Sequence, residues 1–301
     1  MSGISFEVAA EEAGHRLDVV LARRTGLSRS AAAALSVTVD DRPASKSLKL
    51  ERGQRVEADL PDAAPAEPQP EDIDVPVVYE DDALVVISKP AGLVVHPAPG
   101  HPGGTLVNAL LARAGRPAGG EAWRPGIVHR LDAGTSGLMI VAKDEHVHAT
   151  LVGMLASRTV KRTYTALVEG EPESPTATID APIGRSPRHR KKMAVVAGGR
   201  EAITHYQVME RLGEAALLEV RIETGRTHQV RVHLAEIGHA VVGDQVYGRG
   251  RKLAARLGLE RPFLHAARLE LAHPLSGAPL AFEDPLPEDL ARALETARTG
   301  P

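Results

Sequence analysis

The sequence predicts an α+β protein with a small mixed head, a proline-rich linker and a larger body built on a central mixed or antiparallel sheet with flanking helices. Three observations predict it. Short runs of strand character outnumber segments with a helical apolar period. Strands and helices do not alternate as βαβ units would, so a doubly wound dinucleotide-binding sheet is not expected. Residues 61–72 (PDAAPAEPQPED) carry Pro61, Pro65, Pro68 and Pro70 with no apolar periodicity, which reads as a stiff, extended spacer. The expected divisions are a head at 1–60, a linker at 61–74 and a body at 75–295.

In the head, Leu17, Val20 and Leu21 recur at helical spacing, and Ser28 and Ser30 offer caps to a second helix through residues 31–35. Val37 and Val39 alternate before a turn at Asp40 and Asp41, and residues 56–60 form another short strand. So small a unit has a weak core and usually exists to bind something. In the body, 83–88 (ALVVIS) and 138–142 (LMIVA) are near-continuous apolar runs, the pattern of strands buried on both faces. Asp144 can cap a helix through His148, Leu151, Val152 and Leu155. Residues 164–168 and 204–208 alternate, and 217–222 is a further strand. After Gly225, Thr227 can cap a helix bearing Val230, Leu234 and Ile237, ended by Gly238.

The chain has 301 residues, 43% of them hydrophobic, enough for a sizeable core. It has no cysteine, which excludes disulfides, thiolate nucleophiles and cysteine-ligated zinc and fits a reducing cytoplasm. The start does not read as a secretory signal, and no apolar run approaches the roughly 18 residues of a membrane helix. A cytoplasmic monomer is expected. Net charge is −3, yet residues 61–82 hold eight acids and no Lys or Arg, leaving +5 on the remainder. Arg185, Arg188, Arg190, Lys191 and Lys192 form one dense basic run. Local patches, more than overall charge, decide contact with phosphates. Alone, such a run is equally a solvated loop.

Three segments carry candidate chemistry. In 125–143 (PGIVHRLDAGTSGLMIVAK), His129, Arg130 and Asp132 lie between an apolar entry and a glycine-containing turn. A carboxylate on a loop pinned between packed strands is held rigidly; considered alone, Asp132 is an ordinary turn or salt-bridge residue. In 222–233 (IETGRTHQVRVH), Arg226 sits at a helix mouth, where a guanidinium can clamp a carboxylate, although an arginine there is usually solvated. In 162–168 (RTYTALV), Tyr164 is one of only four tyrosines, and a strand tyrosine is commonly core. Other chemistries fall away. His228 and His233 are five apart with no carboxylate between, unlike H-E-x-x-H. No phosphate-binding G-x-x-x-x-G-K-[ST] loop occurs, and Thr135-Ser136-Gly137 lacks the frame of a nucleophile elbow.

At these residues the chain resembles a known family. GIVHRLDAGTSGLMIVAK is similar to the H-R-L-D motif of the RluA/RluD-type pseudouridine synthases. VVYEDDALVVISKPAG (77–92), with Lys89-Pro90 near its end, resembles the family's first motif, and VHPAPGHPGGTLVNALL (95–111) continues it. The tyrosine strand, TGRTHQVRVHLAEIGHAVVGDQVYG (224–248) and LHAARLELAHPLSG (264–277) follow in the family's order. Five colinear segments over most of 75–290 are a specific signal. The head resembles the small RNA-binding domain named after a ribosomal small-subunit protein, through Arg16-Leu17-Asp18, Leu27-Ser28-Arg29-Ser30 and Val37-Thr38-Val39-Asp40-Asp41. Only Ser36 separates Leu35 from Val37, so its second helix is expected to be truncated.

The resemblance implies a pseudouridine synthase fold that isomerises uridine in RNA, 23S (large-subunit) ribosomal RNA above all, with neither cofactor nor metal. It makes Asp132 the essential aspartate, Tyr164 the residue packed on the uracil and Arg226 the base that pairs with the carboxylate. It sends Arg130 into the space left by the flipped nucleotide. His129, Lys89, Arg185, Arg190, Lys191 and Lys192 are the expected RNA contacts. The chemistry agrees: isomerisation needs no redox change, flipping a base costs a few kcal/mol, and contacts to phosphates offset it. A buried carboxylate without a cationic neighbour takes up a proton, which is the reason to expect an arginine beside it. Two alternatives remain open, a tRNA-modifying member of the family and a non-catalytic RNA-binding assembly factor.

Overall fold

A computed structural model describes residues 2–27, 29–33, 35–60, 68–97, 103–114, 126–189 and 192–300. The chain forms two compact units, Met1–Ala66 and Glu67–Pro301. In the first, β1 (Ser2–Glu7), α1 (Leu17–Thr25), α2 (Arg29–Ala32), β2 (Val37–Val39), β3 (Arg42–Pro43) and β4 (Arg55–Leu60) form an antiparallel sheet of order β1-β4-β2-β3 under two helices. Asp40 and Asp41 both have positive φ, 49° and 59°, and make the two-residue turn between β2 and β3. Leu17, Val20 and Leu21 of α1 are buried with Leu50 and Val56. Helix α2 is a single turn, shorter than the 31–35 run suggested. Ser28 lies outside the described residues.

The second unit contains β5 (Val77–Glu80), β6 (Leu84–Lys89), α3 (Leu106–Ala114), β7 (Ser136–Ala142), α4 (Glu145–Ala156), β8 (Lys161–Glu169), β9 (Thr176–Asp180), β10 (Ile183–Arg185), β11 (Met193–Val195), β12 (Ile203–Arg211), β13 (Ala215–Ile222), α5 (Gln229–Glu236), α6 (Arg251–Arg256), β14 (Leu264–Ala272), β15 (Pro279–Glu283) and α7 (Glu288–Thr299). Nine strands form one mixed sheet in the order β5-β6-β7-β14-β8-β13-β12-β9, with β15 also paired to β14. The β7–β14 pair is parallel, and the other pairs are antiparallel. Strands β10 and β11 make a separate hairpin.

All seven residues of β7 are buried, which explains its unbroken apolar run. Its alternate side chains serve two cores. Met139 and Val141 share a cluster with Val85, Ile87 and Leu106, Val107 and Leu110 of α3. Leu138 and Ile140 share another with Leu84, Val86 and Val147 and Leu151 of α4. Asp144 caps α4 as expected, accepting from Val147 N at 2.8 Å. The parallel joint requires Gly137. Its φ is +114°, and a Cβ there would run into the backbone of Ala266.

Two local expectations change. Helix α5 is not capped by Thr227; its N-cap is His228, in the left-handed conformation at φ 59°. Part of the proline-rich stretch is also not free spacer. Gln69 O accepts from Asn108 Nδ2 (2.7 Å), Glu71 N donates to Asn108 O (3.1 Å), and the Glu71 carboxylate accepts from Gly104 N. The buried Asn108 needs those backbone partners, so the chain is tied down there.

Candidate active site

Asp132 lies on the loop entering β7, and that loop is fastened from behind. Thr135 N donates to Asp132 O (3.1 Å), Gly92 N to Ala133 O (2.8 Å) and Arg261 Nη1 to Gly134 O (3.2 Å). Lys89, at the end of β6, is fully buried. Its ammonium donates to Pro90 O (2.8 Å), Leu93 O (2.9 Å) and Ala133 O (3.3 Å). Burial pulls the Lys89 pKa down to about 8, against the upward pull of the Asp132 charge. The expectation that Lys89 touches RNA is therefore corrected. It is an internal clamp on the loop that presents the aspartate.

The Asp132 carboxylate faces a cleft of about 720 Å³. Its partner is Arg231, not Arg226. Arg231 Nη1 donates to Asp132 Oδ2 at 3.0 Å, while Nε and Nη2 donate to the two oxygens of Asp244 at 2.7 and 2.9 Å. Asp244 is itself held by Val246 N (2.8 Å) and Tyr247 N (3.1 Å). Burial pushes the Asp244 pKa up, but the Arg231 hydrogen bonds outweigh it and the net direction is down. A two-pronged carboxylate fixes the plane of the guanidinium, and its third face is left for Asp132. Arg226 precedes α5 and turns away. Its Nε donates to Glu201 O at 2.8 Å, although it still lines the cleft. Arg231 sits within the first turn of α5, on the face that points inward; Arg226 lies on the approach segment. That difference is the physical reason the expected pair does not form.

His228 also points into the cleft, with Nε2 4.0 Å from Asp132 Oδ1. Its Nδ1 lies 2.8 Å from Tyr247 Oη, and that oxygen accepts from Met193 N at 3.0 Å. The Tyr247 ring stands edge-on to His228 at 5.6 Å, and Arg231 Cζ lies 5.2 Å from its centroid. Burial lowers the His228 pKa.

Tyr164 lines the cleft from β8, two residues from Arg162 and on the same side of the strand. Burial pushes the phenol's pKa up, partly opposed by Arg162. Arg130 is exposed at the cleft and makes no side-chain hydrogen bond or ion pair among the described residues. His129 lines the cleft and is half-buried. Its Nε2 accepts from Ile140 N at 3.1 Å and its Nδ1 is buried, and burial lowers its pKa to about 3. The neutral imidazole braces β7 through Ile140 N. Arg185 ends β10 and Lys192 donates to Val246 O at 2.7 Å; neither lines the cleft. Arg190 and Lys191 lie outside the described residues.

The cleft is strongly cationic. Six arginines line it (130, 158, 162, 200, 226 and 231) against Asp132, Glu201 and Glu223. Both glutamates close on Arg158 at 2.6 Å. Among the described residues no cluster suits a metal ion. Sequence reasoning missed Arg231, Asp244, His228 and Tyr247. One signal was present: Arg231 stands between Val230 and Val232, and a charge embedded in an apolar helix face needs a buried partner.

A single carboxylate on a braced loop, set in an arginine-lined cleft across a mixed sheet, defines an enzyme of polyanion chemistry. The sequence profile of the family described as RNA pseudouridylate synthase matches residues 83–236. Over 305 aligned residues the chain is 45% identical to an uncharacterized RNA pseudouridine synthase of Mycobacterium bovis, covering 99% of each chain. It is 44% identical to ribosomal large subunit pseudouridine synthase D of Xanthomonas campestris, covering 95% of this chain and 90% of that one. A solved human structure, RNA pseudouridylate synthase domain containing 4, superposes with a TM-score of 0.59 at 27% identity, over 74% of this chain and 93% of that one. The chain belongs to the RNA pseudouridylate synthase family, in its RluA/RluD branch, and is an RNA pseudouridine synthase.

Proposed function

We propose that this enzyme isomerises specific uridines of large-subunit ribosomal RNA, with Asp132 as the group that opens the glycosidic bond. The observation that carries the reading is the Asp132–Arg231–Asp244 array. It presents one carboxylate to the cleft at 3.0 Å from a guanidinium already locked by a second carboxylate. The substrate class is supported by the relatives named ribosomal large subunit pseudouridine synthase D. The target nucleotide leaves its stack, and Arg130, exposed at the cleft, takes the place it vacates. Tyr164 lies against the uracil. Asp132 then acts on the sugar or on the ring: the N1–C1′ bond breaks, the ring turns, and a C5–C1′ bond forms. C5 loses its proton and N1 gains one, so no water or electron is consumed. No cofactor is called for.

The head is proposed as an auxiliary RNA-binding module, through exposed bases such as Arg23, Arg42, Lys46 and Arg52. A monomer is proposed as the working unit. The test is a map of pseudouridine in total RNA from cells with the protein, without it and with Asp132→Asn. Large-subunit sites should disappear in the last two, while the purified Asp132→Asn protein still binds the RNA. Loss confined to tRNA would replace the substrate. Unchanged maps would remove the activity.

A further inference from the structure

Beyond the carboxylate and its arginine, the structure builds a second reacting group. We propose that His228 is a catalytic hydrogen-bond donor, locked by Tyr247 in its Nε2–H tautomer, that stabilises the negative charge the uracil acquires when its bond to the sugar breaks. This rests on the reading of Asp132 given above and adds to it a residue and a role.

Met193 N–H donates to Tyr247 Oη at 3.0 Å, so that oxygen is already an acceptor and its own proton must point elsewhere. His228 Nδ1 lies 2.8 Å away on the open side. In the proposal Tyr247 gives that proton to Nδ1, and a neutral imidazole accepting at Nδ1 carries its hydrogen on Nε2. Nε2 faces the cleft, 4.0 Å from Asp132 Oδ1. That gap is too long for a direct hydrogen bond and leaves the donor for an atom beside the one Asp132 attends. The oxygen next to the breaking N1–C1′ bond is O2 of the uracil, where the bond's electrons are partly delocalised. No proton is transferred in this step; the hydrogen stays on Nε2 while the bond to it strengthens.

Two further features separate this histidine from a wall residue. Its φ is 59°, a conformation that non-glycine residues adopt at a cost, and such strain collects where a side chain must be aimed. Its orienting hydroxyl comes from the segment after α5, which also carries Asp244, so one short segment positions both the histidine and Arg231. The groups facing His228 are Asp132 and Arg130 from the loop before β7, Arg231 on α5, and Asp244 and Tyr247 beyond it. Burial is the largest influence and keeps the ring neutral, as a donor that must not become an imidazolium requires.

The test uses the full-length protein. Tyr247→Phe keeps the ring against Arg231 and removes only the hydroxyl. Single-turnover release of tritium from [5-³H]uridine RNA should slow by about tenfold or more, and by about a hundredfold in His228→Asn, whose side chain tolerates the left-handed backbone. RNA affinity should stay within about twofold in both. Loss of the donated hydrogen bond should also move the acid limb of the Tyr247→Phe rate profile to higher pH, which a packing role would not do. Nitrogen-15 NMR of the free protein should find His228 with hydrogen on Nε2. An Nδ1–H tautomer, an unchanged rate, or rate and affinity falling together would each overturn the proposal. Because the tautomer is measured without substrate, its failure is distinct from a failure of the proposed substrate or of Asp132.

Discussion

At the scale of single residues, the two arginines of the third motif separate by where they stand on the helix. Arg231 is enclosed by two carboxylates and aims at one of them, whereas Arg226 spends its Nε on the Glu201 carbonyl. Arg231→Lys cannot make the fork that Asp244 accepts, so the Asp132 geometry should loosen. Its single-turnover rate should drop about a hundredfold with RNA affinity held. Arg226→Ala should do the reverse, weakening affinity severalfold and leaving the rate within about twofold. Asp132 stood out in the sequence because the motif that carries it is contiguous. Its partner lies 99 residues on, and two arginines five apart could not be told apart without the inward face of α5. His129 offers a different test. It is neutral in the folded state, with a pKa of about 3, whereas an unfolded histidine takes up its proton near 6.5. Folded stability from this group is thus complete above pH 6.5 and is lost as pH falls towards 3. Between pH 7 and 5 the loss is up to about 2 kcal/mol. Urea midpoints of His129→Gln should fall less steeply over that interval than those of the unaltered protein.

At the scale of elements, the strands of the body and the Asp144 cap of α4 were legible, and the start of α5 was not. The buried run SGLMIVA announced β7, because a strand covered on both faces has no polar face to show. What periodicity could not give was the partner of β7, since β14 lies more than a hundred residues away and pairs in parallel. The start of α5 also misled. Thr227 has the chemistry of a cap, but the approach to the helix is organised by Gln229, whose Oε1 accepts from Thr224 Oγ1 (2.8 Å) and Arg226 N (3.0 Å). The N-cap position fell to His228 with no side-chain cap, and the approach segment is tied to the helix by Gln229. The β7–β14 joint makes a prediction of its own. Gly137→Ala would place a methyl into the Ala266 backbone at a positive φ and should cost about 3 kcal/mol. For a unit of this size the melting temperature should fall by roughly 10 °C. Gly153, inside α4, meets no atom within 4 Å, and its φ is an ordinary one. Gly153→Ala should move the melt the other way, by up to about 1 kcal/mol. Equal effects at the two glycines would mean that the parallel joint does not set the stability of the sheet.

At the scale of the whole molecule, a protein of net charge −3 binds a polyanion because its charges are segregated. Eight acids lie in residues 61–82, and the cleft collects six arginines on the other side of the ledger. Not all six can meet phosphates. Arg231 is held by Asp132 and Asp244, Arg158 by Glu201 and Glu223, and Arg162 is buried. Arg130, Arg200 and Arg226 remain, which sets the number of phosphates neutralised in the cleft at about three. For single-stranded RNA each neutralised phosphate adds about 0.7 to the slope of log affinity against log salt, so the cleft should contribute about −2 to it. Affinity should then fall about fifteenfold between 50 and 200 mM salt. Replacing Arg200 and Arg130 together by glutamine should cut the cleft's contribution to about −0.7 while leaving the fold intact, because both side chains are exposed. A slope unchanged in that variant would move the phosphate contacts out of the cleft, to the basic hairpin around β10 and β11 or to the head. Asp132 would then act on a nucleotide whose backbone is gripped elsewhere, and the cleft arginines would serve the flipped base alone.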